Sequence, residues 1–164
     1  MHRIYARHSR TTESDRLSIP LIKRCIREAL AFEGVDKQCE VSVLITDDRG
    51  IQRINADFRG IERPTDVLSF PMQYFCLPGW GNVEDAEADP ETRLLPLGEI
   101  VFSGERVHRQ ACEYGRTCEY ETAYLTVHSV LHLLGYDHTD EADGKKQMRG
   151  REKKIMKSLG VNND

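Results

Sequence analysis

The chain lacks any apolar run approaching the ~20 residues needed to cross a bilayer, which excludes a helical membrane protein. Its N-terminal stretch, MHRIYARHSRTTESDR, has no apolar core of the kind a secretory signal requires, so export is not expected. No two cysteines form a Cys-x-x-Cys pair: the five, at positions 25, 39, 76, 112 and 118, are scattered and odd in number. That pattern argues against a disulfide framework and a cysteine-based zinc site, and it fits a reducing, cytoplasmic setting. The thiols are expected to pack as small buried hydrophobes. A strong excess of one charge is also missing, since a formal net charge of −4 over 164 residues does not announce a nucleic-acid binder. Internal repeats are absent.

What is present suits one globular domain over residues 1–164. Charged residues make up 30% and hydrophobic residues 39%, in a chain long enough to bury a sizeable core. The charge is unevenly placed. Segment 72–96 holds Glu84, Asp85, Glu87, Asp89 and Glu91 against Arg93 alone, a local sum of −4, and reads as an irregular acidic insertion, a flap or a mobile hairpin. The rest is neutral overall, with basic clusters at 3–16, 53–63 and 145–157. Such clusters are ordinarily solvated faces and do not by themselves select RNA over no partner.

Periodicity divides the remainder. Arg3 to Ala6 gives a weak first strand. Residues 18–33 predict a helix, with Leu21, Ile22, Cys25, Ile26, Ala29 and Leu30 on one stripe, Ser18 as N-cap, Pro20 in the first turn and Gly34 as the stop. Cys39, Val41, Val43 and Ile45 alternate with Glu40, Ser42, Leu44 and Thr46, which predicts a strand. Ile51, Ile54 and Phe58 mark a short helix. Strands follow at 67–70 and 97–103, helices at 104–114 and 118–134, and a last helix over 140–159 with Asp140 as its cap. Strand and helix signals so mixed predict an α+β fold: a small mixed sheet packed with helices, a histidine-bearing helix against it.

That helix ends in the stretch His128-Ser-Val-Leu-His132-Leu-Leu-Gly-Tyr-Asp-His138, which holds three of the six histidines. At roughly 100° per residue, His128 and His132 lie about 40° apart on one face, a turn apart in height. Gly135 falls where helices commonly end, and the turn it permits can return His138 toward the pair. Three imidazoles without a fourth protein ligand describe an open metal site, most naturally one zinc ion. Such an ion acidifies water and polarises carbonyl or phosphoryl oxygens, so hydrolysis is the natural class.

The spacing is also that of metzincin proteases, but those carry a glutamate directly after the first histidine as general base, and Ser129 stands there. A metalloprotease is therefore disfavoured. Glu121, nearly two turns earlier, is about 10 Å away along the axis. It either supports a neighbouring element or is a solvated charge. Asp137 can orient a histidine or cap the loop. A metal that brings its own nucleophile lessens the need for a base and suits phosphodiester cleavage, with Arg59 and Arg63 as candidate phosphate-stabilising cations.

The histidine stretch resembles the signature of the YbeY family, bacterial endoribonucleases of rRNA maturation. Asn55-Ala-Asp-Phe-Arg-Gly60 with Pro64-Thr-Asp-Val-Leu-Ser-Phe-Pro71, then Leu97-Gly-Glu-Ile-Val-Phe-Ser103, then Met148 with Glu152, follow in the family's order. The resemblance implies zinc at His128, His132 and His138, Arg59 acting on RNA phosphate, and a four-stranded mixed sheet surrounded by helices. It further implies cleavage of single-stranded RNA, formation of the small-subunit rRNA 3′ end, ribosome quality control, and as partners the ribosome, a small-subunit ribosomal protein and the GTPase Era. Ser129 replaces a usual glycine, with little consequence expected for metal binding. A third possibility is a non-catalytic assembly factor with structural zinc, although structural sites are almost always closed by four ligands.

Overall fold

The computed structural model describes residues 1–137 and 142–163. His138, expected as a metal ligand, and Asp140, expected as a helix cap, lie outside the described residues. Helix α1, Ile19–Phe32, begins where Ser18 Oγ accepts from Leu21 N at 3.3 Å and buries Ile22, Cys25, Ile26, Ala29 and Leu30 completely. Strand β2, Cys39–Thr46, buries Cys39, Val41, Val43 and Ile45 on the same side. Helix α2, Asp48–Arg59, is longer than its apolar triplet suggests because Asp47 caps it, accepting from Gly50 N at 2.7 Å.

Strands β1 (Arg3–His8), β2, β3 (Val67–Pro71) and β6 (Leu95–Ser103) form one sheet in the order β1-β2-β6-β3. The first three of these in spatial order are parallel, and β3 runs antiparallel along β6. The expected α+β architecture with a mixed four-stranded sheet is therefore observed. Central β6 is buried on both faces over Ile100–Ser103, as a strand covered on both sides must be. One face carries the main core with α1, α4 (Cys118–Leu133) and α5 (Ala142–Leu159). The other carries a small cluster of Leu68 and Val101 under Ile51 and Ile54 of α2. Helix α3, Gly104–Glu113, starts directly from β6, with Ser103 Oγ accepting from Arg106 N.

Segment 72–96 carries a hairpin, β4 (Tyr74–Phe75) with β5 (Val83–Glu84), and is tied to the domain. Trp80 is 9% exposed and donates from its indole to Asp36 at 2.7 Å, while Gly79 N–H donates to Leu134 O at 3.0 Å. Cys25 and Cys39 are buried as expected, but Cys76 and Cys112 are exposed, because one sits in this hairpin and the other on the outward side of α3. Gly98 is where backbone and helix meet: at φ +151° a Cβ would stand 2.6 Å from Leu133 Cδ2 and collide with the Phe70 carbonyl. Only glycine lets β3, β6 and the end of α4 come this close. No helix among the described residues is long and apolar enough to cross a membrane.

Candidate active site on a buried helix

Thr117 caps α4, accepting from Tyr120 N at 3.0 Å. Glu121, Thr122, Ala123, Leu125, Thr126, Val127, Ser129, Val130 and Leu131 are all buried, so the helix is enclosed nearly all round. One line is spared. Tyr124, His128 and His132, four residues apart each time, remain part-exposed and share a face. The helix closes on a double turn in which Gly135 N–H donates to His132 O and Tyr136 N–H to Leu131 O, with Gly135 at φ +89°. A Cβ there would come within 2.7 Å of Phe75 Cβ, so the hairpin presses directly on this turn.

The two histidines face each other with Nε2 atoms 3.1 Å apart and rings at 79°. Behind them stands Glu152 of α5, 3% exposed. Its Oε1 lies 2.6 Å from His128 Nδ1 and its Oε2 accepts from the Tyr124 hydroxyl at 2.8 Å. A proton on Nδ1 directed at the carboxylate assigns the tautomer that turns the Nε2 lone pair toward His132. Burial first, then the Glu152 contact, push the Tyr124 phenol above its ordinary range, so it stays a donor.

This pair fits a metal. Two nitrogen ligands of one tetrahedral ion at ~2.0–2.1 Å stand roughly 3.3 Å apart, close to the 3.1 Å observed. A carboxylate on the far nitrogen is the usual support of a ligating histidine, and His132 lies in the last turn of α4, where the helix dipole favours a cation. Among the described residues no group of three or more His, Cys, Asp or Glu side chains gathers for an ion, His138 being outside them.

The structure joins His128 to His132 on α4, and Arg59 is carried by α2. Arg59 ends α2, whose Ile51 and Ile54 pack on the sheet face of Leu68 and Val101, and is exposed and without a hydrogen bond or ion pair among the described residues. Its loop is held at both ends. Buried Asn55 donates to Arg63 O at 2.8 Å, and Asp66 Oδ2 accepts from Gln110 Nε2 at 3.0 Å. Gln110 also donates to Glu121 Oε1 at 2.9 Å, and Glu121 Oε2 pairs with Arg116 at 3.0 Å. Glu121, 1% exposed, is thus a support for neighbouring elements and not a solvated charge. Asp137 is exposed. Ser129 is fully buried, and its hydroxyl has no hydrogen-bond partner among the described residues.

Sequence reasoning placed Glu152 and Tyr124 on helices without giving them a role. The signal was there: Glu152 shares a helical stripe with Met148, Ile155 and Leu159, all buried, and a carboxylate on such a stripe needs a partner.

A largely buried helix with two facing histidines on its open line, and a carboxylate holding His128, is an arrangement suited to hydrolysis. A family model described as Endoribonuclease YbeY matches residues 5–160. The Endoribonuclease YbeY of Thermoanaerobacter sp. (strain X514) is 45% identical over 141 residues, covering 86% of this chain and 87% of that protein. That of Roseiflexus sp. (strain RS-1) is 41% identical over 151 residues, covering 88% and 85%. The solution structure of TM1509 from Thermotoga maritima matches with a TM-score of 0.57 at 26% identity, covering 97% of this chain and 89% of that one. The chain belongs to the YbeY endoribonuclease family.

Proposed function

We propose that the chain is a zinc-dependent endoribonuclease that cuts single-stranded RNA and acts in maturing the 3′ end of small-subunit rRNA and in ribosome quality control. The observation that carries this reading is the His128–His132 pair, Nε2 to Nε2 at 3.1 Å with Glu152 behind it, in a family whose curated relatives are named endoribonucleases. His128, His132 and His138 hold one zinc ion. When bound, the ion supplies a Lewis acid and acidifies water.

The chain's own side chains do the rest. Glu152 fixes the orientation and tautomer of His128, and Tyr124 fixes Glu152. Arg59, exposed at the end of α2 and without an ion pair among the described residues, binds RNA phosphate. The proposed partners are the ribosome, a small-subunit ribosomal protein and the GTPase Era. Ser129 disfavours a protease on new grounds: beyond lacking a basic group, it is sealed in the core.

The test compares wild type with His132→Ala for bound zinc and for cleavage of single-stranded RNA and casein. Expected are one zinc per wild-type chain, cut RNA, intact casein, and joint loss of metal and cleavage in the variant. Equal RNA cleavage by both would expose a contaminating nuclease, and casein cleavage would revive the protease. A zinc-loaded protein that cuts neither would favour an assembly factor with structural zinc.

A further inference from the structure

Next to the histidine pair, α4 and α5 leave a groove of about 500 Å³ between them. Tyr120 and Tyr124 form one wall, and Arg149, Lys153 and Lys157 stand along the other at helical intervals of four. All three cations are exposed, and among the described residues none has an acidic partner. Met156 gives the floor an apolar patch. Glu152 lines the groove too, but its two oxygens already engage His128 and Tyr124. The groove therefore presents three cations beside two aromatic rings in a protein of net charge −4.

The aromatic wall is ordered in advance. The Arg116 guanidinium carbon lies 5.3, 5.5 and 5.6 Å from the ring centroids of Tyr114, Tyr120 and Tyr124. Arg116 is itself anchored on buried Glu121. Tyr124 is also stacked on His128, ring centroids 6.2 Å apart, so Tyr120 is the ring of this wall held to present its face to a base at little further entropic cost. An unpaired base has such a face to offer and a duplex does not, because its bases are stacked on each other.

We infer that the groove between α4 and α5 is a subsite for single-stranded RNA. A base stacks on Tyr120 while the backbone runs along Arg149, Lys153 and Lys157, and this subsite confers preference for single strands over duplex. Through Glu152 and Tyr124 it adjoins His128, so a strand seated there leads to the histidine pair. The inference rests on the single-strand RNA reading above and adds where the strand lies and how it is selected.

Binding of a short labelled single-stranded RNA and of the matching duplex, followed by fluorescence anisotropy against salt, tests it on the full chain. Lys153→Gln with Lys157→Gln is expected to lower the salt slope by about 1.4, at about 0.7 per lost single-strand phosphate contact. Tyr120→Leu is expected to weaken single-strand binding about tenfold and leave duplex binding alone, while Tyr120→Phe keeps both. The charge-matched pair Arg27→Gln with Lys154→Gln, both exposed and outside the groove, should behave as wild type. Unchanged single-strand affinity and salt slope in the lysine pair and in Tyr120→Leu would overturn the inference and hand the groove to an acidic protein partner, with the nuclease reading intact. A wild type that binds no RNA would remove that reading and this one with it.

Discussion

Replacing Glu152 by glutamine tests whether the carboxylate behind the histidines serves metal binding or only helix packing. The change keeps shape but removes charge. The native carboxylate accepts two hydrogen bonds, from His128 Nδ1 at 2.6 Å and from the Tyr124 hydroxyl at 2.8 Å, while 3% exposed. Glutamine has one acceptor oxygen for those two donors and turns its NH₂ toward the other partner, so the charge assistance of both bonds is lost and the tautomer of His128 is no longer fixed. A charge-assisted bond contributes about 1.5–3 kcal/mol, and at 1.4 kcal/mol per decade that is roughly 10- to 100-fold in affinity if it acts through ligand orientation. Supporting carboxylates in metal sites cost about 10- to 100-fold when changed, the same range by a separate route. Zinc affinity, measured by competition with a chromophoric chelator, should fall by that factor, with thermal stability of the zinc-free protein followed in parallel. A variant that binds zinc within about threefold of wild type while losing stability would refute the reasoning, since Glu152 would then be tying α5 to α4 and nothing more.

Gly98→Ala should destabilise the protein by about 2–4 kcal/mol in urea titration, because the new methyl meets Leu133 and the Phe70 carbonyl at a strained φ. Arg59→Ala should slow RNA cleavage and lower the salt slope of binding by about 0.7, leaving bound zinc unchanged. Asp48 gives a pH prediction. Burial raises its pKa, but bonds from Arg106 and Ser103 outweigh that and hold it below the ordinary 3.8. The ionised form is thus favoured by folding, and its stabilisation is complete well above 3.8 and lost as pH falls through the lowered folded value. Wild type should therefore lose stability faster than Asp48→Asn between about pH 5 and pH 3, by chemical denaturation; parallel curves would sink the assignment.

Much of the frame was legible because its signals are local. The α1 stripe, the β2 alternation and the α4 histidine spacing are read within one turn or one pleat, and Ser18 and Gly135 mark ends by their own chemistry. The place of β3 antiparallel on β6 is a non-local pairing that no short pattern encodes. The two-residue strands β4 and β5 are too short to show a period, so the acidic composition of 72–96 hid the anchors at Gly79 and Trp80. Within the site, His128 and His132 share a helix and could be paired from spacing. Glu152 is 24 residues away and meets them only when α5 packs on α4. Arg59 was legible as a cation at a helix end, and α2 does end on it.

The same packing explains what the carboxylates around α4 do, given that Ser129 stands where a protease has its glutamate. Among the described residues, Asp66, Glu121 and Glu152 stand around α4, and each is committed through both oxygens. Asp66 accepts from Val67 N and Thr65 with one and from Gln110 with the other. Glu121 accepts from Gln110 and Arg116, and Glu152 from His128 and Tyr124. A carboxylate whose oxygens hold other side chains in place cannot also swing toward a substrate proton without releasing them. The block Thr65-Asp66-Val67 and Glu121 are therefore the ties that fix the Arg59 loop and α4 relative to one another, not acid–base groups. Among the described residues these three carboxylates are structural ties, and buried Ser129 carries no basic group to stand in for a protease glutamate.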